Sequence, residues 1–288
     1  MGRSGTTIAF EAFSRHPLLA WPSNYCMWMP KHLYWNLLVP LADYTGLRGH
    51  KKQYGRALPG NRFLPQPDEA YEFWDCYSET NFSRDYLSNT VATSRAREQV
   101  RGAVCALVRW QRKRRFAAKF TGPGRITYLS SIFPDALFIH VIRDGRAVVE
   151  SLLRQRFWRE KGGLDRPFWT GTPDAVLREW EVAGRDSAVL AALQWRHVIQ
   201  SIRSEASEYR ADAYMALRYE DYVADPVGAI VSMYRFSNLP MPGDEVLEQL
   251  ESHVGMRDMN QKWRNMEKDT LHRITRAMEP LLSELGYV

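Results

Sequence analysis

Ala136-Leu137-Phe138-Ile139-His140-Val141-Ile142, closed by Arg143-Asp144-Gly145 and followed by Arg146 to Arg154, decides the architecture. The run is apolar except for His140 and is bounded by Pro134-Asp135 before it and Asp144-Gly145 after it. A short continuous apolar run between turn residues is the pattern of a strand buried on both faces, which is the condition of strands in parallel sheets. The residues after Gly145 carry a helical period, so the unit reads strand, turn, helix. Upstream, Phe116 to Phe120 reads as a strand, Thr121-Gly122-Pro123-Gly124 as a turn and Arg125 to Ile132 as a helix. Downstream, Ala213 to Leu217 reads as a further strand, followed by Arg218-Tyr219-Glu220-Asp221 and a helix over Pro226 to Phe236. Further helices are expected over Asp68–Cys76, Asp85–Gln111, Pro173–Val182 and Ser187–Glu208. The last is expected over Asn265–Val288, with Gly286 at its C-terminal cap. The alternation of β and α elements predicts an α/β fold, one domain over residues 1–288, with a central, mostly parallel sheet flanked by helices.

The 288 residues hold 45% hydrophobic and 25% charged side chains, an ordinary globular composition that excludes a disordered chain. No apolar run approaches the ~20 residues of a membrane-spanning helix, and no secretory h-region opens the chain. Cys26, Cys76 and Cys105 are widely spaced and odd in number. They argue against a disulfide framework and against a metal site, and the expected compartment is a reducing cytoplasm. Lys and Arg number 39 against 33 Asp and Glu, a formal charge of +6 that calls for an anionic partner without naming it.

Three stretches bear on that anion. Gly2-Arg3-Ser4-Gly5-Thr6-Thr7 precedes the apolar period of Ile8, Phe10, Ala12 and Phe13. Glycine and hydroxyl residues opening a helix make a phosphate-binding turn, because free N–H groups and the helix dipole both face an anion. The same composition also fits a flexible terminus. A strand normally leads into such a turn and none precedes Gly2, so an upstream strand is expected to be missing. The Gly-Lys-Ser/Thr ending of nucleoside-triphosphatase loops is absent as well. Secondly, Arg143 at a strand end and Ser151 about two helical turns on face the crevice outside the strand ends, where open α/β sheets bind ligands. An arginine with a hydroxyl suits a phosphate monoester. The alternatives are an Arg143–Asp144 ion pair and a surface serine. Thirdly, the basic run Arg109 to Arg115 reads either as a solvated helix end or as a nucleic-acid patch.

Four segments, in order along nearly the whole chain, resemble the sulfotransferases that use 3′-phosphoadenosine 5′-phosphosulfate (PAPS). They are Gly2 to Thr7; Phe133 to Arg146 with Ser151; Arg218-Tyr219-Glu220-Asp221 with Asp225-Pro226; and Lys262-Trp263-Arg264 with Leu285-Gly286-Tyr287. The resemblance implies a P-loop-like three-layer fold and PAPS as donor, leaving 3′,5′-ADP. It implies that Arg3, Ser4, Gly5, Thr6 and Thr7 hold the 5′-phosphosulfate and that Arg143 and Ser151 hold the 3′-phosphate. Tyr219, Lys262 and Arg264 are expected around the nucleotide, or as core aromatic and surface cations. Lys119 resembles the catalytic lysine of tyrosyl-protein sulfotransferases, and Arg3 is the second cation expected to act on the transferring group. In that subgroup a glutamate base follows a His-Pro pair. Here His16-Pro17 is followed by Leu18 to Tyr25, which contains no carboxylate. His16 is the candidate base, with His32, Glu11 and Asp75 as alternatives, and His140 is read as a core histidine. The acceptor implied is a hydroxyl on a carbohydrate, lipid or small metabolite, with no nucleic-acid partner. A nucleotide-dependent phosphoryl transferase and a basic nucleic-acid-binding protein are the rival readings.

Overall fold

The computed structural model describes residues 2–49, 61–243, 248 and 261–288. In chain order the elements are α1 (Thr6–Phe13), β1 (Leu19–Ala20), α2 (Asn24–Trp28), α3 (Leu38–Thr45), α4 (Tyr71–Tyr77), α5 (Ser94–Trp110) and β2 (Arg115–Phe116). After these come α6 (Ile126–Ile132), β3 (Phe138–Ile142), α7 (Gly145–Leu153), α8 (Arg156–Glu160), α9 (Asp174–Val182) and α10 (Ser187–Glu208). The chain ends with β4 (Tyr214–Arg218), α11 (Tyr219–Ala224), α12 (Pro226–Phe236), α13 (Lys268–Met278) and α14 (Leu281–Glu284).

The deciding strand–turn–helix unit is present as β3, Arg143-Asp144 and α7. Strand β3 pairs in parallel with β4 over five positions, from Phe138 opposite Tyr214 to Ile142 opposite Arg218. Helices α7 to α10 form the crossover between them, as a parallel pair requires. Strands β1 and β2 form a second, two-residue parallel pair, Leu19 with Arg115 and Ala20 with Phe116. Parallel pairing and alternating elements are as expected. Among the described residues, however, the strands form two separate pairs and no single central sheet. The expected strand over Phe116–Phe120 is shorter for a visible reason. Ala117 N still donates to Ala20 O, but further on Thr121 gives its N–H and its carbonyl to the Tyr71 hydroxyl, at 2.8 and 2.6 Å.

Helix boundaries depart from the periodicity at two places. Helix α5 begins at Ser94, capped by Thr93, whose Oγ1 accepts from Ala96 N at 3.0 Å. The nine residues before it are irregular, with Leu87 and Asn89 at φ of 53°, outside helical backbone. The C-terminal helix is split by Pro280, whose missing N–H cannot continue the ladder. Gly286, at φ 71°, then closes α14 as its cap glycine.

The largest apolar cluster lies beneath α7 and α10 and includes Val148, Val149, Trp195, Val198, Ile199 and Ile274, all essentially buried. A second joins α1 to α12 through Ala12, Ile230 and Tyr234. A third packs α4, α5 and α6 around Phe73, Trp74, Phe82, Val100 and Ile132. These clusters hold the first turn of α1, the turn after β3 and the segment after β2 against one another. Among the described residues no helix is long and apolar enough to cross a membrane.

Candidate active site

The start of α1 is the hub. Gly5 precedes the helix at φ 80°, ψ 0°, a left-handed conformation that glycine adopts without steric cost. A Cβ there would stand 2.5 Å from the Tyr219 ring. Thr6 and Thr7 form the first turn, whose N–H groups have no intrahelical acceptors. Arg3 curls back at φ 70°, and its Nε donates to Ser151 Oγ at 2.9 Å across 148 residues of sequence. Arg143, buried at the end of β3, donates through Nη1 to the Arg3 carbonyl at 2.8 Å. Its guanidinium lies 4.2 Å over the Tyr219 ring. Burial, with the nearby Arg143 charge, pushes the Arg3 pKa down. A cation whose charge is opposed by burial and by a second nearby cation favours an anion beside it. The Ser4 hydroxyl is buried without a hydrogen-bond partner. The residues present therefore fit a phosphate or sulfate group: two cations, two hydroxyls and a helix start.

Asp144, the alternative partner for Arg143, is engaged elsewhere. It caps α7, accepting from Arg146 N at 2.9 Å, and pairs with the Arg146 guanidinium at 2.7 Å. Arg146 also donates to the Tyr287 carbonyl at 2.7 Å and lies 4.1 Å over Trp263. The Tyr287 hydroxyl donates to Glu220 at 2.9 Å. Three of the four motif segments are thus hydrogen-bonded to one another behind the site. Within that support Tyr219 is buried, packed between Gly5 and Arg143, and offers no open ring face. Lys262 and Arg264 lie exposed on the short turn that Trp263 anchors.

Lys119 completes the hub from the other side. It is buried to 8% exposure, and its Nζ donates to Thr7 Oγ1 at 3.0 Å and to the Glu69 carboxylate. A surface lysine at a strand end is therefore excluded. Glu69 uses its other oxygen to accept from Thr121 Oγ1 at 2.8 Å. The backbone around Glu69 is unusual. Ala70 is buried at φ 46°, ψ 54°, a left-handed geometry costing an alanine on the order of 1–2 kcal/mol. It is held there by Asp68, whose Oδ1 accepts from Ala70 N at 3.0 Å. Glu69 was not among the sequence candidates. Its only signal was an Asp-Glu pair ahead of a short helix, which reads as an ordinary acidic N-terminus.

His16 is placed differently from a base. Its ring is buried, with Nδ1 accepting from Leu18 N at 3.2 Å and Nε2 bonded to the Pro240 carbonyl at 2.8 Å. Burial, then the Arg115 and Lys113 charges, oppose its protonation and push its pKa down. With both nitrogens committed to backbone, it has no free lone pair for an acceptor proton. Asp75 accepts from Ser83 N at 2.8 Å, His32 is exposed beside Tyr34, and Glu11 is buried on α1. The basic run is partly structural as well: Lys113 pairs with Asp43 at 2.7 Å and Arg115 donates to the Ser237 carbonyl at 2.5 Å.

With this geometry in place, comparison with known proteins is decisive for the family. A model of the sulfotransferase family matches residues 1–243, and the chain belongs to that family. Zebrafish (Danio rerio) protein-tyrosine sulfotransferase 1 is 29% identical over 128 residues, 44% of this chain and 29% of that protein's length. The fold is similar to sulfotransferase STF9 from Mycobacterium avium, with a TM-score of 0.59 at 14% identity over all of this chain and 76% of that one. It is also similar to the sulfotransferase domain from the curacin biosynthetic pathway, with a TM-score of 0.50 at 15% identity over all of this chain and 95% of that one.

Proposed function

We propose that this protein transfers a sulfuryl group from PAPS to a hydroxyl acceptor. The observation that carries the reading is the convergence of Arg3, Arg143 and Ser151 at the start of α1, with Lys119 bonded to Thr7 of the same turn. The donor supplies an activated sulfuryl group and a leaving 5′-phosphate. The chain's own residues bind and orient it. The α1 N–H groups, Ser4, Thr6 and Thr7 cradle the phosphosulfate end, while Arg143 and Ser151 hold the 3′-phosphate. Lys119 and Arg3 stabilise charge that develops on the transferring and leaving oxygens, the principal demand of such a transfer. A nucleoside-triphosphatase loop carries its own lysine; here the cation at the loop threonine comes from the segment after β2, a further argument against phosphoryl transfer. The acceptor class proposed is a carbohydrate, lipid or small metabolite, since no carboxylate occupies Leu18 to Tyr25 as in the tyrosyl-protein subgroup.

Calorimetry with 3′,5′-ADP, ATP and an oligonucleotide tests this. Tight binding is expected for 3′,5′-ADP alone. Arg143→Ala and Ser151→Ala are each expected to weaken it about 10- to 100-fold, as loss of a charge-assisted hydrogen bond does. Preference for ATP or the oligonucleotide would overturn the proposal. Lys119→Ala is expected to lower turnover ~100-fold or more while 3′,5′-ADP affinity changes only a few-fold. Equal losses would make Lys119 a phosphate binder alone.

A further inference from the structure

We infer that Glu69 is the general base that takes the proton from the acceptor hydroxyl, an inference that rests on the sulfuryl-transfer reading. Two contacts locate its carboxylate. One oxygen is at Lys119 Nζ, which also reaches Thr7 Oγ1 at the start of α1, and the other is at Thr121 Oγ1, 2.8 Å away. A Cβ on Gly2 would stand 3.8 Å from the Thr121 Cβ, so the carboxylate, the lysine and the phosphate-binding turn share one wall. Glu69 retains 21% side-chain exposure beside a lysine with 8%. It is therefore the more accessible member of the pair and the one an incoming hydroxyl can reach.

Its setting is that of a positioned group. The left-handed Ala70 is held by Asp68, and the Tyr71 hydroxyl locks the backbone of Thr121, the residue whose side chain grips Glu69. A buried alanine in that conformation persists only where surrounding structure imposes it, and such strain concentrates at functional sites. Among the sequence candidates, both His16 ring nitrogens are tied to backbone, and the contact that places Asp75 is with Ser83 N, whereas Glu69 sits on Lys119 beside the start of α1. Glu69 meets the first requirement of a base, which is geometry.

The step balances as follows. The acceptor oxygen forms a bond to sulfur while the bond between sulfur and the 5′-phosphate oxygen breaks. The electron pair of that bond stays on the leaving phosphate of 3′,5′-ADP, facing Lys119. The hydroxyl proton passes to a Glu69 oxygen and from there to solvent.

The test uses the full chain, PAPS and two acceptor probes, phenol and p-nitrophenol, the second of which ionises near neutral pH without help. Glu69→Gln keeps the size and can still accept from Thr121. It is expected to lower kcat on phenol about 10²- to 10⁴-fold, the usual worth of a base. The loss with p-nitrophenol should be below tenfold, with 3′,5′-ADP affinity within threefold. Glu69→Asp should recover part of the phenol activity. Equal losses on both phenols, or a matching loss of 3′,5′-ADP binding, would overturn the inference and leave Glu69 as a positioning residue for Lys119. Unchanged phenol turnover in Glu69→Gln would overturn it outright. Wild-type protein that binds no 3′,5′-ADP would instead sink the parent reading. Wild-type protein that binds it yet sulfates neither phenol nor a panel of sugars and primary alcohols would sink the hydroxyl acceptor and the base together.

Discussion

Gly5 shows how one residue type fixes the site. Its φ of 80° and the 2.5 Å that would separate a Cβ from the Tyr219 ring are two separate obstacles to any side chain. Tyr219 is buried under the Arg143 guanidinium, so a methyl at Gly5 must displace the arginine proposed to hold the 3′-phosphate. Gly5→Ala is expected to cost about 1–2 kcal/mol in stability from the left-handed backbone alone. It should also weaken 3′,5′-ADP binding tenfold or more, as read by thermal melting and calorimetry. Affinity within twofold of wild type would refute this role for the glycine. The glycine was legible in the sequence as part of a turn opening a helix. That Tyr219 is the reason for it was not, since the two lie more than 200 residues apart in the chain.

Among the elements, the β3–β4 ladder carries a titratable group. His140 faces Ala216 on β4, its Nδ1 bonded to the Tyr214 hydroxyl at 2.8 Å and its Nε2 buried without a partner. Burial, with the Arg203 charge adding to it, pushes the pKa down to about 3. Between that value and about 6.5 in the unfolded chain, the unfolded state binds the extra proton, so folding stability rises with pH. The contribution is full above about 6.5 and is lost as pH falls toward 3. Urea unfolding is expected to give a stability at pH 4.5 lower by on the order of 1–3 kcal/mol than at pH 7. His140→Phe should flatten part of that slope; an unchanged slope would show that His140 does not titrate there. Reading His140 as a core histidine was possible from its place in an apolar strand. Its half-satisfied hydrogen bonding was not. Likewise the start of α5 at Ser94 depended on Leu87 and Asn89 leaving helical backbone, and on Glu205 of α10 accepting from Asn89 N at 3.1 Å.

For the whole molecule, α10 is the element against which α6, α7, α9 and α13 pack. Trp195 at its centre is fully buried and abuts Gly145, where a Cβ would stand 2.8 Å from the indole. The turn that presents Arg143 is therefore supported directly by the core. Trp195→Ala is expected to cost about 3–5 kcal/mol, measured by chemical unfolding. Trp195→Phe should cost clearly less, because the indole N–H has no partner to lose. Equal costs would contradict the packing described.

Family resemblance singled out Lys119, whereas local pattern was enough for the strand–turn–helix unit after Pro134, most helices and the glycine-bearing turn at Gly2 to Thr7. These follow from hydrophobic period and turn chemistry, which act over a few residues. Long-range packing had to settle that Arg143 turns to Arg3, whereas its neighbour Asp144 caps α7 locally, and that Tyr219 is a support. It also settled that His16 is tied to backbone and that Glu69 joins Lys119. Each of these is a contact chosen among several chemically equivalent partners. The choice is made by packing that spans 50 to more than 200 residues of chain, over which local pattern carries no information.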